Sequence, residues 1–173
     1  MIITGCQRSG TKSAAYMFGI DHEKQFTKYR TFDNLSGIRQ TLRSESSWMA
    51  MPFARELLNW KQSIIHLVRH PILVINSLMG IEFWTHKCHD DFPQLIRKYL
   101  KETPEDPLEA SMYYWVNWNK MIPSCIPRIR IEDVANPPRL NGRQRGDIKT
   151  WEDLPEGELK DKVRVLATEY CYE

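Results

Sequence analysis

GCQRSGTKS, Gly5 to Ser13, comes after a run of only four residues, Met1 to Thr4, and how it is read decides the fold. Ile2 and Ile3 precede it. Ala14 to Phe18 follow it and stop at Gly19, a residue suited to a helix C-terminus. A glycine-rich turn between a strand and a helix leaves backbone N–H groups unpaired and converging on one spot, where the helix dipole also favours negative charge. The unit is therefore an anion cradle. The ATP-binding version, G-x-x-x-x-G-K-[ST], sets its lysine directly after the second glycine and its hydroxyl on magnesium. Here Gly5 and Gly10 keep the glycine spacing, but Thr11 stands in the lysine's place and Lys12 follows. Moving the register to bring Lys12 into place puts Cys6 where the first glycine belongs, so neither alignment completes that loop. An ordinary strand-to-helix turn has no need of two glycines together with Arg8, Ser9, Thr11, Lys12 and Ser13, so phosphate binding is the better reading.

Outward from this loop the chain alternates between strand and helix patterns, without repeats or low complexity. The pattern predicts a weak strand over Gln25 to Arg30, a helix around Asn34 to Arg43, a short apolar strand over Ser46 to Met51, and a helix from Pro52 to about Trp60. SIIHLV, Ser63 to Val68, is a near-continuous apolar run of the kind a parallel strand covered on both faces requires, and it should be central. Pro71 starts a helix through ILVINSLMGI, and Leu108, Met112, Trp115, Val116 and Ile122 mark another. IPRIRI, Ile126 to Ile131, is the last good strand. Leu159, Val163, Leu166, Ala167 and Tyr170 form the stripe of a closing helix. The expectation is an α/β fold: a single three-layer domain of the phosphate-loop type spanning 1–173, with a central, mainly parallel sheet flanked by helices. Ligands of such sheets sit beyond the carboxyl ends of the strands.

Composition narrows the partners. The chain has 173 residues, 42% of them apolar, and a net charge of +2 from 24 basic and 22 acidic side chains. That balance gives no electrostatic drive toward nucleic acid. No signal peptide or long apolar run stands out, and the four cysteines show no CxxC spacing. A cytoplasmic protein without a membrane span is expected.

A second segment sharpens the choice. In HLVRHPILVINS, His66 to Ser77, the strand ends in Arg69, followed by Pro71 and then Ser77. An ATP- or GTP-hydrolysing protein more usually ends a neighbouring strand in an aspartate that helps hold magnesium. Here a guanidinium stands at the ligand edge, with a hydroxyl about two turns into the next helix, a pair able to hold a second phosphate. Together the two segments resemble the sulfotransferase family that uses 3′-phosphoadenosine-5′-phosphosulfate, PAPS. Arg8 falls on the family's basic residue before Ser-Gly-Thr, and Arg69, Pro71 and Ser77 look like its 3′-phosphate motif. YYWVNWN, RIRIEDV (Arg128 to Val134), TWEDLP (Thr150 to Pro155) and ATEYCYE are similar to the later part of bacterial-type members, so the resemblance covers nearly the whole chain.

The resemblance implies in-line transfer of a sulfuryl group from PAPS to a hydroxyl or amine, leaving 3′,5′-ADP and requiring no metal. Arg8 and the backbone of Gly10 to Ser13 (with Ser9, Thr11 and Lys12) would hold the 5′-phosphosulfate, and Arg69 and Ser77 the 3′-phosphate. Within RLNGRQRGDIK, Arg143 or Arg145 matches a late loop that folds over the nucleotide. Glu45, in RSESSWMAMPF, is the first choice of general base, because the segment resembles the one whose glutamate supplies the base in some family members, although the lysine and proline that usually follow that glutamate are missing. His70 is the second choice. His66, Trp115 and Trp118 read as core, and HKCHDD, His86 to Asp91, lacks tetrahedral zinc spacing and reads as a solvated loop. The acceptor, whether a small molecule, a sugar or a peptide, should be read by the irregular stretch Gly80 to Pro107, in a compact pocket or one completed by a partner chain. Two other readings stand beside this one: a magnesium-dependent kinase of a small molecule using Asp133, and a nucleotide-binding or assembly protein without a working base.

Overall fold

The computed structural model describes residues 1–28, 35–39, 42–85, 91–134 and 147–172. Its contacts group into two compact units, Met1–Val68 with Met121–Leu140 and Arg69–Lys120 with Asn141–Glu173.

The first unit carries the sheet. Its strands are β1 (Ile2–Thr4), β2 (Asp21–His22), β3 (Glu45–Ser46), β4 (Ile64–Val68) and β5 (Arg128–Arg130), in the order β2-β3-β1-β4-β5. Every pairing is parallel, so the fold is of the expected α/β class. β1 is the middle strand, and β4 is interior, hydrogen-bonded to both β1 and β5. The helices of this unit are α1 (Thr11–Phe18), α2 (Lys24–Lys28), α3 (Ser36–Arg39) and α4 (Ala54–Asn59). Strand alternation sends Ile3, Ile65, Leu67 and Ile129 to one face, where they form a cluster with Ala14 and Met17 of α1. The other face carries the buried Ile2, Thr4, Ile64, His66 and Val68, and the 3₁₀ segment Trp48–Phe53 and α4 pack against β1 and β4. His66 is thus buried in the core, as read from its place on an apolar strand.

Two expected elements change. The weak strand over Gln25 to Arg30 is instead helical at Lys24–Lys28, because the Glu45 carboxylate supplies acceptors to the N–H groups at the start of that helix. The expected strand over Ser46 to Met51 stops at Ser46. Ser47 accepts the Met49 N–H on its side chain, the chain winds into a 3₁₀ segment, and all of Trp48 to Met51 are buried. A short apolar run satisfies either geometry, and here the local cap selects the turn. The helix expected around Asn34 to Arg43 is described over Ser36–Arg39 only.

The second unit is helical: α5 (Pro71–Gly80), α6 (Phe92–Tyr99), α7 (Pro107–Lys120) and α8 (Glu158–Glu169). α7 packs against α5 and α8 and buries residues on nearly every side, including Trp115 and Trp118, which the sequence placed in the core. Val163, Leu166, Ala167 and Tyr170 bury the expected stripe, and Tyr170 meets Trp115 with ring centroids 5.9 Å apart. α6 lies within the stretch read as irregular. Its Arg97 sits over Trp84 and donates to the carbonyls of Thr103 and Pro104, so this part of Gly80 to Pro107 is an anchored helix. Among the described residues no helix is long and apolar enough to cross a membrane.

Candidate functional site

The Gly5–Ser13 loop leaves the carboxyl end of the middle strand, where ligands of parallel sheets collect. Both of its glycines are required. A Cβ on Gly5 would lie 2.0 Å from the Leu67 carbonyl oxygen, so the chain turns directly against β4. Gly10 has φ 91°, and a Cβ there would lie 2.9 Å from Ile131 Cγ1. Between them Arg8 adopts a left-handed φ of 72°, a conformation uncommon for a non-glycine residue. The Ser9 N–H closes onto the Cys6 carbonyl at 3.0 Å, and the Ala14 N–H onto that of Gly10 at 2.9 Å. The Ser9 hydroxyl is fully buried and has no hydrogen-bond partner among the described residues. Thr11 and Ser13 are buried in the first turn of α1, and Lys12 is exposed. At the far end Gly19, at φ 61°, caps α1 as the sequence indicated.

A helix ending at Gly19 leaves only Ile20 before β2, and this brings in two residues the sequence reading passed over. His22 ends β2, and its Nε2 lies 3.3 Å from Thr11 Oγ1 and 3.4 Å from Glu23 Oε1. Glu23 follows with φ 51°, its N–H bonded to the Ser46 carbonyl at 3.1 Å. One side chain therefore bridges the loop and a carboxyl group. Burial, followed by the field of the neighbouring Glu45, pushes the Glu23 pKa up to about 7. Burial and then the Lys12 charge lower that of His22. The signal available in the sequence is the spacing from Gly19, the helix stop two residues before β2.

Glu45, the first choice of base from the sequence, is engaged by backbone donors. It is fully buried at the start of β3, level with Ile2 and so short of the carboxyl edge of β1. Its two oxygens accept the Gln25 N–H at 3.1 and 3.0 Å, with further bonds from the backbone of Phe26 and Lys24. Burial raises its pKa, and those N–H groups oppose the rise. The carboxylate caps α2.

In the second unit Arg69 is the residue after β4, its carbonyl accepting from Trp115 Nε1 at 3.3 Å, and the half-buried Ser77 lies in α5. His70 caps α5. Its Nδ1 accepts the Ile72 N–H at 3.2 Å, and its ring packs against Trp151 and Tyr172 at 5.7 and 5.2 Å, so the acceptor lone pair a base would use is engaged. Asp133 receives the Arg130 guanidinium, with Nε 2.7 Å from Oδ2, which holds its carboxyl below the usual range. Arg143, Arg145 and His86 to Asp90 lie outside the described residues. No family model, no curated protein and no solved structure matches the chain.

The raised Glu23 pKa makes stability depend on pH. A carboxyl whose folded pKa exceeds its unfolded one contributes most below about 4.5, and that contribution is lost as pH rises through about 7. The gap amounts to roughly 3 kcal/mol at most. Glu23→Gln, which cannot ionise, should therefore gain on the wild type progressively from pH 4.5 to 7 in urea-unfolding measurements. Parallel curves for the two proteins would contradict this environment for Glu23.

Proposed function

We propose that the protein transfers a sulfuryl group from PAPS to a hydroxyl or amine of an acceptor, with Glu23 as general base. The observation that carries this reading is a carboxyl group with a pKa near 7 joined through His22 to the first helical residue of a glycine-defined anion cradle. A base poised near the working pH is what proton abstraction from an acceptor requires. The buried Ser9 hydroxyl and the two glycines whose Cβ atoms would collide fit a loop that wraps a phosphate. Arg8 and the N–H groups of Gly10 to Ser13 hold the 5′-phosphosulfate in this reading, and Arg69 and Ser77 hold the 3′-phosphate. PAPS supplies the sulfuryl group and a leaving phosphate oxygen on which negative charge grows. Fixed donors in the loop stabilise that charge more in the transition state than in the ground state. Glu23 takes the acceptor proton, and Glu45, holding the N-terminus of α2, keeps the neighbouring field negative.

Asp133 weighs against the kinase reading, because Arg130 already occupies the carboxylate a magnesium ion would need. Thermal melts separate the two, since a ligand bound only by the native state raises stability by about 2.7 kcal/mol at a hundred times its Kd. 3′,5′-ADP should raise the melting temperature, and ATP with magnesium should not. The reverse pattern would replace sulfuryl transfer by phosphoryl transfer. Transfer of labelled sulfate from PAPS across a panel of phenols, sugars and tyrosine peptides then separates an enzyme from a binding protein.

A further inference from the structure

We propose that His22 couples the loop to the base: occupation of the Gly5–Ser13 loop by a phosphate group moves a proton from Glu23 to His22, so that Glu23 is held as a carboxylate when the donor is bound. This rests on the reading of the loop as a phosphate cradle and of Glu23 as the base. Both contacts are made by one ring nitrogen: His22 Nε2 lies 3.3 Å from Thr11 Oγ1 in the loop and 3.4 Å from Glu23 Oε1. Both side chains are mostly buried, at 29% and 21% exposure, so their fields are weakly screened.

The charged groups around this pair are Lys12 from α1, Glu45 from β3, and Asp21 and Lys24 on either side in its own segment, with Lys24 Nζ 3.5 Å from Asp21 Oδ1. With the loop empty, burial and Lys12 disfavour the charged imidazole, while burial and Glu45 disfavour the charged carboxylate of Glu23. A phosphate in the loop offsets the Lys12 charge and lies on the imidazole side of the pair. It favours the arrangement with imidazolium toward the loop and carboxylate away from it. The step balances: the Glu23 O–H bond breaks, an N–H bond forms on the Nε2 lone pair, and the net charge of the pair is unchanged. Two interacting sites of this kind titrate as a pair, so both midpoints must move together.

The test is a pH titration by NMR of the full chain, following the imidazole ring signals and the glutamate side-chain carboxyl carbons with and without saturating 3′,5′-ADP. His22 is assigned by the signal missing in His22→Gln, and Glu23 by that missing in Glu23→Gln. The expected result is a His22 midpoint that rises by about one pH unit or more on adding nucleotide, with the Glu23 midpoint falling. In His22→Gln, where the side-chain amide can still reach Thr11 but cannot be protonated, the Glu23 midpoint should no longer fall on adding nucleotide. If 3′,5′-ADP raises the melting temperature yet leaves both midpoints in place, the coupling is wrong while the phosphate-cradle reading stands. If 3′,5′-ADP does not bind at all, that reading fails and the coupling falls with it. Should His22→Gln not fold, the wild-type titration decides alone, the ring signal then being identified by its proximity to Thr11.

Discussion

Glu23→Gln is expected to lower sulfuryl transfer from PAPS by roughly 10²- to 10⁴-fold, the usual contribution of a positioned general base, while 3′,5′-ADP still raises the melting temperature. The amide keeps the size of the side chain and its place beside His22, so binding at the loop should survive, and only the ability to take a proton is lost. Glu45→Gln provides the contrast. It removes a charge whose two oxygens accept backbone N–H groups at the start of α2, and one amide oxygen cannot replace both. A loss of stability of about 1–3 kcal/mol is expected, the cost of leaving buried donors short of acceptors. Its effect on transfer should be smaller than that of Glu23→Gln. Single-turnover rates with the two variants decide between the carboxyl groups. A Glu45→Gln protein that folds normally but transfers no sulfate, beside an active Glu23→Gln, would return the base to Glu45.

Gly5→Ala is expected to have the largest effect on folding. Its added methyl would stand 2.0 Å from the Leu67 carbonyl oxygen. That atom belongs to the backbone of an interior strand, so relief requires β1 and β4 to part at the end where the loop begins. A destabilisation of about 4 kcal/mol or more is expected, a range reserved for overpacking and strain of this kind. Gly10→Ala should cost less, about 1–2 kcal/mol from the left-handed backbone, since Ile131 is a side chain able to yield by part of an ångström. It should weaken 3′,5′-ADP binding more than it weakens the fold. Equilibrium unfolding and a nucleotide melt on each variant measure both. Equal, small losses from the two substitutions would mean that the loop does not run tightly against β4.

Much of this architecture was legible in the chain because its signals are local. The turn chemistry of Gly5 and Gly10, the glycine stop at Gly19, the apolar run of β4 and the stripe of α8 each depend on residues next to one another. Where a segment takes its conformation from a distant partner, the sequence reading goes astray. Gln25 to Arg30 reads as a strand until the carboxylate of Glu45 arrives from β3 to satisfy the first N–H groups of a helix at Lys24–Lys28. Ser46 to Met51 is a different case: its apolar run suits a strand or a turn, and the neighbouring Ser47 cap selects the turn. Both segments are short, and neither carries enough periodicity to choose for itself.

The candidate site divides in the same way. The sequence by itself determined the glycine-defined loop between β1 and α1, since the glycines, Arg8 and the hydroxyls that follow are contiguous and their backbone geometry is a local matter. Only the tertiary structure decided how the environments of the two carboxyl groups differ. Glu23 and Glu45 are the same residue type with the same ordinary pKa. Parallel pairing of β2 and β3 buries both, but it directs the backbone N–H groups of α2 to Glu45 and leaves Glu23 beside His22 and the field of its neighbour. A pKa reflects desolvation and the nearby charges, and these exist only once strands remote in the chain lie side by side.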